Sequence, residues 1–130
     1  MVVVNYIGRL GNNLFQYALG RYIAEEMEYA LVANPLPFPP TFERVSGRSV
    51  QGPVQKLGKQ LMDIQSFLDD KSDRLILLDG FFQYFQYYSL FLDRIRKWYS
   101  GTVPPCATGG IHSDDLLVYV RLSDYCRHGW

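Results

Sequence analysis

The first 33 residues have the pattern strand, turn, helix and strand, and this order limits the chain to a small set of folds. Residues 2–7, VVVNYI, are mostly apolar and β-branched, which is typical of a strand buried in a parallel sheet. Residues 14–27 carry apolar side chains at three- and four-residue steps, as one face of a helix requires. Residues 29–33, YALVA, form a second short strand. We therefore expect a parallel pair with a right-handed helical crossover.

Strands and helices continue to alternate along the chain. The sequence predicts a weaker amphipathic helix over 54–68, a buried strand within 74–82, a helix over 84–98 and a strand over 116–121. This alternation predicts an α/β fold, a Rossmann-like parallel sheet with flanking helices.

Two segments break this pattern. Residues 34–42, NPLPFPPTF, hold four of the seven prolines and predict a surface loop. Residues 101–110, GTVPPCATGG, are typical of a linker between domains. We expect an amino-terminal domain over 1–108, followed over 109–130 by a linker and the first strand of a truncated second domain, so that the chain is a fragment.

Composition excludes several classes of function. Thirteen basic and thirteen acidic residues give zero net charge, which argues against a non-specific nucleic-acid binder. Cys106 and Cys126 lie far apart, and neither His112 nor His128 has a partner at catalytic or zinc spacing, so we expect reduced thiols and no metal. With no visible signal peptide and no run of 18 apolar residues, we expect a cytoplasmic or membrane-associated protein.

The turn after the first strand combines two glycines with two amides. Gly8 and Gly11 permit positive φ and a close approach to the backbone. Asn13 and Gln16 either cap the following helix or face a polar ligand beside the helix N-terminus. Arg9 either serves the same ligand or is solvated. The turn lacks the dinucleotide-binding GxGxxG pattern and the GK[ST] of a P-loop.

Two later segments place polar residues where buried strands end. Gly80 and Gln83 follow one such strand, and each is either an ordinary turn or helix-start residue or part of a site at the sheet edge. Arg121 lies where the last predicted strand ends, and is either a surface residue or a phosphate ligand. Asp124 can form an ion pair, cap a helix or orient the loop.

The turn after the first strand and the start of the following helix resemble the signature of a known family. GRLGNNLFQYALGR, residues 8–21, is similar to the amino-terminal signature G-x-L-G-N-Q-L-F-Q-Y-A of the α-1,2-fucosyltransferases, which include galactoside and bacterial O-antigen enzymes. Asn13 stands where the family has Gln. The matching residues are Gly8, Leu10, Gly11, Asn12, Leu14, Phe15, Gln16, Tyr17 and Ala18.

Two further segments follow in the family's order. LDGFFQYFQYY, residues 78–88, is similar to L-x-G-Y-F-Q-S-x-x-Y-F, and VYVRLSDY, residues 118–125, is similar to H-x-R-R-x-D-Y. In the third segment Tyr119, Leu122 and Ser123 replace the family's His, second Arg and usual Gly.

The resemblance implies a glycosyltransferase of the two-domain GT-B type. Such enzymes transfer L-fucose from GDP-β-L-fucose to a galactoside hydroxyl in α-1,2 linkage, with inversion and with neither metal nor cofactor. The implied partners are a nucleotide-sugar donor and a galactoside acceptor, with peripheral membrane association compatible with both. This chain would hold the acceptor-side domain and the threshold of the donor-binding domain. Residues implied in donor or substrate binding are Arg121, Asn12, Gly11, Arg9, Gln16 and Gln83.

Two points stay open in this interpretation. The general base that deprotonates the acceptor is unassigned; Asp124 is a candidate, and a structural role for it fits equally. The alternative function is a non-catalytic carbohydrate- or protein-binding α/β module derived from the family, which the departures at Tyr119 and Leu122 fit.

Replacement of Arg121 tests the implied donor site. In a protein that includes the complete donor-binding half, Arg121→Ala should raise the barrier to transfer by about 2–4 kcal/mol, because a fixed cation facing the leaving diphosphate is lost. Initial rates of fucosyl transfer measure the effect. Near-wild-type turnover would refute the role of Arg121.

Overall fold

The strand predicted at the start of the chain lies in the middle of a parallel sheet. A computed structural model of the chain describes residues 1–34, 45–58 and 60–99. Its strands are β1 (Val2–Val4), β2 (Leu31–Ala33), β3 (Val54–Leu57) and β4 (Leu75–Leu78). Its helices are α1 (Leu10–Glu26), α2 (Ile64–Asp69), α3 (Phe85–Tyr88) and α4 (Leu92–Tyr99).

The strand order is β2-β1-β4-β3, and every neighbouring pair is parallel. Val2 lies opposite Leu31 on one side and Ile76 on the other, so β1 joins segments that are far apart in the sequence. An open parallel sheet with flanking helices confirms the predicted α/β, Rossmann-like fold.

Helix α1 covers β1 and β2 through its buried face. Gly20 lies at the closest approach, where a methyl group would come within 2.5 Å of Val4 Cγ2 and 3.4 Å of Leu31 Cδ1. Leu19 and Ile23 are completely buried on the same helix. The core therefore sits between α1 and the apolar side chains of the central strands.

The helix predicted over 54–68 is wrong in its first half. Val54–Leu57 forms strand β3, which pairs with β4, and only Leu57 of its four residues is buried. Main-chain hydrogen bonds to β4 hold this strand, so it needs no alternating apolar pattern. Helix α2 begins after Asp63, whose carboxylate accepts from the backbone N–H groups of Gln65 and Ser66 at 3.0 and 3.2 Å.

The helix predicted over 84–98 is divided into α3 and α4. The break covers residues 89–91, and both Tyr88, which precedes it, and Phe91, at its end, are buried. Phe91 stacks on Tyr22 of α1 with ring centroids 4.0 Å apart. The spacing of these two residues fits one helical face with or without the break, so the sequence pattern does not reveal it.

Several predictions fall on residues outside the described ranges. These are most of the proline-rich loop over 34–42, the linker at 101–110, the strand at 116–121 and the domain boundary at 108–109. Within the described part of the chain, no helix combines the length and apolar character needed to cross a membrane.

Two glycines of α1 provide a matched test of its packing. Gly20→Ala should lower the free energy of unfolding by about 1–3 kcal/mol, because the added methyl group overlaps the buried, stiff Val4 side chain. Gly11→Ala should raise it by up to about 1 kcal/mol, because no atom lies within 4 Å of the new methyl group and alanine favours the helix. Urea denaturation followed by circular dichroism measures both. Equal stabilisation at the two positions would contradict the packing described for Gly20.

Candidate functional site at the carboxyl edge of the sheet

Three neighbouring strands end in register, and each is followed directly by a polar residue or a glycine. Val4, Leu78 and Leu57 are in register across β1, β4 and β3. The next residues along each strand are Asn5, Asp79 and Gly58. Open α/β sheets bind ligands at this carboxyl edge, so these residues mark the candidate site.

Asp79 ties the three strand ends together. Its Oδ1 accepts from Asn5 Nδ2 at 2.9 Å, and its Oδ2 pairs with Lys56 Nζ at 2.5 Å. Hydrogen bonds from Lys56 and then Asn5 hold the pKa of the Asp79 carboxyl below its usual value, so it stays ionised. Asp79 is not among the site residues predicted from the sequence, although an acidic residue directly after a buried strand is a signal for one.

The glycine turn begins helix α1 earlier than predicted. Arg9 is the N-cap residue, and the Asn13 backbone N–H donates to its carbonyl at 3.1 Å. Asn13 therefore lies inside the first turn, and its prediction as the N-cap is wrong. Gly8 precedes the helix with φ of +84°, a conformation that suits glycine.

The amides of Asn13 and Gln16 turn inward to the end of the first strand segment. Gln16 Nε2 donates to the Ile7 carbonyl, and Gln16 Oε1 accepts from the Ile7 N–H, both at 3.0 Å. Asn13 Nδ2 contacts Gln16 Oε1 at 3.2 Å and the Ile7 carbonyl at 3.4 Å. Gln16 is 0% exposed, so it supports the turn from beneath instead of presenting an amide on its surface.

Asn12 and Gln83 meet at the surface of the same edge. Gln83 Nε2 donates to Asn12 Oδ1 at 2.7 Å, across 71 residues of sequence. The Asn12 amide nitrogen lies over Gly8, where a Cβ atom would overlap it. The turn after β1 and the segment after β4, predicted separately from the sequence, are therefore neighbours.

The segment after β4 approaches the backbone closely. Gly80 is buried, and a Cβ atom there would lie 2.8 Å from the carbonyl oxygen of Gly58. Phe82 has φ of +52° although its side chain is buried. Tyr88 donates its hydroxyl proton to the Phe82 carbonyl, and that hydroxyl also lies 3.1 Å from the Phe15 carbonyl. Burial raises the pKa of Tyr88, which keeps this donor protonated.

Exposed aromatic side chains lie on the two segments that carry the amide pair. Phe85 is 69% exposed, and Phe15, Phe81 and Tyr84 are each about 40% exposed. An apolar groove of about 530 Å³ runs from the amide pair along α1, α3 and α4. Its lining residues are Gly11, Leu14, Phe15, Ala18, Gln83, Phe85, Tyr88, Leu92, Ile95 and Tyr99.

The structure brings four of the predicted site residues to one edge. Arg9, Gly11, Asn12 and Gln83 lie on the turn or beside it, and Gln16 lies beneath it. Arg121 and Asp124 lie outside the described residues. Among residues 1–34, 45–58 and 60–99, no group of three His, Cys, Asp or Glu side chains is placed to hold a metal ion.

The chain was compared with protein-family models, characterised proteins and solved structures. None of them matches. Interpretation of the edge therefore depends on its own geometry and on the sequence motifs that meet there.

Two amides of the turn give different expectations for the size of the loss in stability. Gln16→Ala should lower the free energy of unfolding by about 1–3 kcal/mol or more, because it leaves the partly buried Ile7 N–H unpaired and opens a cavity. Asn12→Ala should cost only about 0.5–1.5 kcal/mol, because the bond it removes is exposed to water.

Thermal and urea unfolding of the two variants, measured beside wild type, check this difference. If Asn12→Ala destabilises the protein as much as Gln16→Ala, the surface amide is structural. The assignment of Asn12 to a ligand site would then lose its support.

Proposed function

We propose that the chain is the acceptor-side half of a fucosyltransferase, which transfers L-fucose from GDP-β-L-fucose to a galactoside hydroxyl in α-1,2 linkage. The observation that carries the proposal is the 2.7 Å hydrogen bond between Gln83 and Asn12. These residues belong to two different motif segments, and the fold joins them at the edge where α/β sheets bind ligands.

The chemistry of this edge suits a nucleotide-sugar. Inverting transfer builds positive charge on the sugar and negative charge on the leaving diphosphate, and fixed donors stabilise the latter. Asn12 offers an amide N–H group, and Arg9 brings a guanidinium to the start of α1, where the helix dipole also favours an anion. In the proposal Arg121 supplies the cation that clamps the diphosphate.

The surroundings of the amide pair suit a pyranose acceptor. Sugars present apolar C–H faces and polar edges, which aromatic rings and amides respectively contact. Phe81, Tyr84 and Phe85 are exposed around Asn12 and Gln83. We assign the acceptor to this aromatic surface.

Asp79 is poorly suited to be the general base. Both of its carboxylate oxygens are engaged, by Asn5 and Lys56, and its lowered pKa makes it a weak proton acceptor. Its role in the proposal is to hold the strand ends at a fixed separation, and Asp124 remains the candidate base.

A non-catalytic carbohydrate-binding module is the second candidate. The exposed aromatic rings fit it equally well, and the replacements at Tyr119 and Leu122 would fit a donor site that has lost its function. The two candidates differ in whether the protein recognises GDP.

Calorimetric titration of GDP-β-L-fucose, GDP and a β-galactoside into a protein that includes the complete donor-binding half separates these functions. We expect saturable binding of GDP-β-L-fucose that excess GDP abolishes, and a loss of affinity of about tenfold or more in Asn12→Ala, which removes a hydrogen bond to a charged oxygen. Gln86→Ala, which alters an exposed glutamine on α3, is the matched control.

The other outcomes of the titration also distinguish the two candidate functions. Binding of the galactoside without any response to GDP would favour the non-catalytic module. Binding of none of the three would refute the proposed function.

A further inference from the structure

Phe82 adopts a backbone conformation that its side chain disfavours. Its φ is +52°, yet it is a bulky residue with only 3% of its surface exposed. A left-handed conformation is uncommon for such residues and persists where the surroundings impose it, frequently at functional sites. The adjacent residue, Gln83, is the one that reaches Asn12.

Tyr88 holds the carbonyl of Phe82. Its hydroxyl donates to the Phe82 carbonyl, and its ring packs edge-on against Phe15 with centroids 5.2 Å apart. The Tyr87 ring lies 6.4 Å from the Phe82 ring on the same short helix. The peptide that precedes Gln83 is therefore held by a buried hydrogen bond.

Gln83 in turn fixes the orientation of the Asn12 amide. Because Gln83 donates to Asn12 Oδ1, the amide presents Nδ2 over Gly8. Asn12 Nδ2 has no hydrogen-bond partner among the described residues, so it is a donor available to an oxygen of a ligand. Without Gln83, no hydrogen bond in the described part of the chain determines which way the oxygen and the nitrogen of this amide point.

We propose that Gln83 is a positioning residue, which holds the Asn12 amide with its N–H group toward the ligand, and that Tyr88 holds Gln83 in place through Phe82. This inference rests on the proposed function for its ligand, an oxygen of a nucleotide-sugar. It assigns Gln83 a role exerted through Asn12 and not by its own contact with the ligand.

Gln83→Glu is the most informative variant. A carboxylate accepts but does not donate, so the Asn12 amide must rotate and donate its N–H group to Glu. The hydrogen bond between the two residues survives, whereas the atom offered to the ligand becomes Oδ1. A purely structural role for Gln83 predicts little change, and a positioning role predicts a loss of affinity like that of Gln83→Ala.

Side-chain amide NMR spectra of the free protein test the geometry independently of any ligand. Wild type should show a rigid Asn12 amide, with a high heteronuclear NOE. Gln83→Ala should release it, Tyr88→Phe should release it partly, and the neighbouring Asn13 amide should stay unchanged as an internal control. Gln86→Ala should change neither. A rigid Asn12 amide in Gln83→Ala would overturn the inference.

Titration of GDP-β-L-fucose, GDP and a β-galactoside then tests the functional part. For each probe that wild type binds through Asn12, Gln83→Ala and Gln83→Glu should each weaken binding by about tenfold. The double variant Asn12→Ala/Gln83→Ala should bind no more weakly than Asn12→Ala alone. Additive losses would mean that Gln83 contacts the ligand itself and would overturn the inference.

Failure of the proposed function has a separate signature. If wild type binds none of the probes, the fucosyltransferase proposal falls, and the amide spectra alone judge the positioning of Asn12. Release of the Asn12 amide in Gln83→Ala would then uphold that positioning, and an unchanged amide would overturn it.

Discussion

Two hydrogen bonds between the Gln16 side chain and the backbone of Ile7 hold the first strand to the helix that follows it. They satisfy both main-chain groups of a residue that has left the sheet. They also fix where the chain turns, so that Gly8, Arg9 and Asn12 come out at the carboxyl edge. The cost of removing this completely buried amide from water is offset because both of its polar atoms form hydrogen bonds.

Tyrosine hydroxyls also form hydrogen bonds to main-chain groups outside the regular strands. Tyr87 accepts from the Met62 N–H at 2.9 Å, Tyr88 donates to the Phe82 carbonyl, and Tyr99 donates to the Leu14 carbonyl at 2.9 Å. Each ring packs in the apolar interior while its hydroxyl fixes an irregular segment. A helix of four residues such as α3 has too few backbone hydrogen bonds to be stable by itself. Its tyrosine side chains supply additional hydrogen bonds and packing.

The sequence predicted the elements whose apolar pattern is strong, and it failed where tertiary contacts decide. β1, α1, β2 and β4 carry buried residues at strand or helix periods. β3 is held by its main-chain pairing to β4, and Phe91 stacks on Tyr22 beside the break between α3 and α4; the sequence spacing reveals neither contact. The predicted strand ends indicated that the glycine turn and Gln83 lie at the edge of the sheet. A local sequence pattern carries no information about a contact between residues 71 positions apart, so the Asn12–Gln83 hydrogen bond was not predictable. Asn13 and Gln16 matched a capping pattern, yet both turned to Ile7.

The parallel pairing of Val2 with Ile76 has a consequence for how the molecule assembles. Parallel neighbours that are distant in sequence form slowly, because a long stretch of chain must be closed before any contact rewards it. During synthesis β1 can pair with β2 early, whereas its other edge stays open until β4 has left the ribosome. An interrupted chain that ends before residue 75 would contain the glycine turn, helix α1 and β2 but no complete carboxyl edge, and the open edge of β1 that β4 normally covers would be a place for self-association.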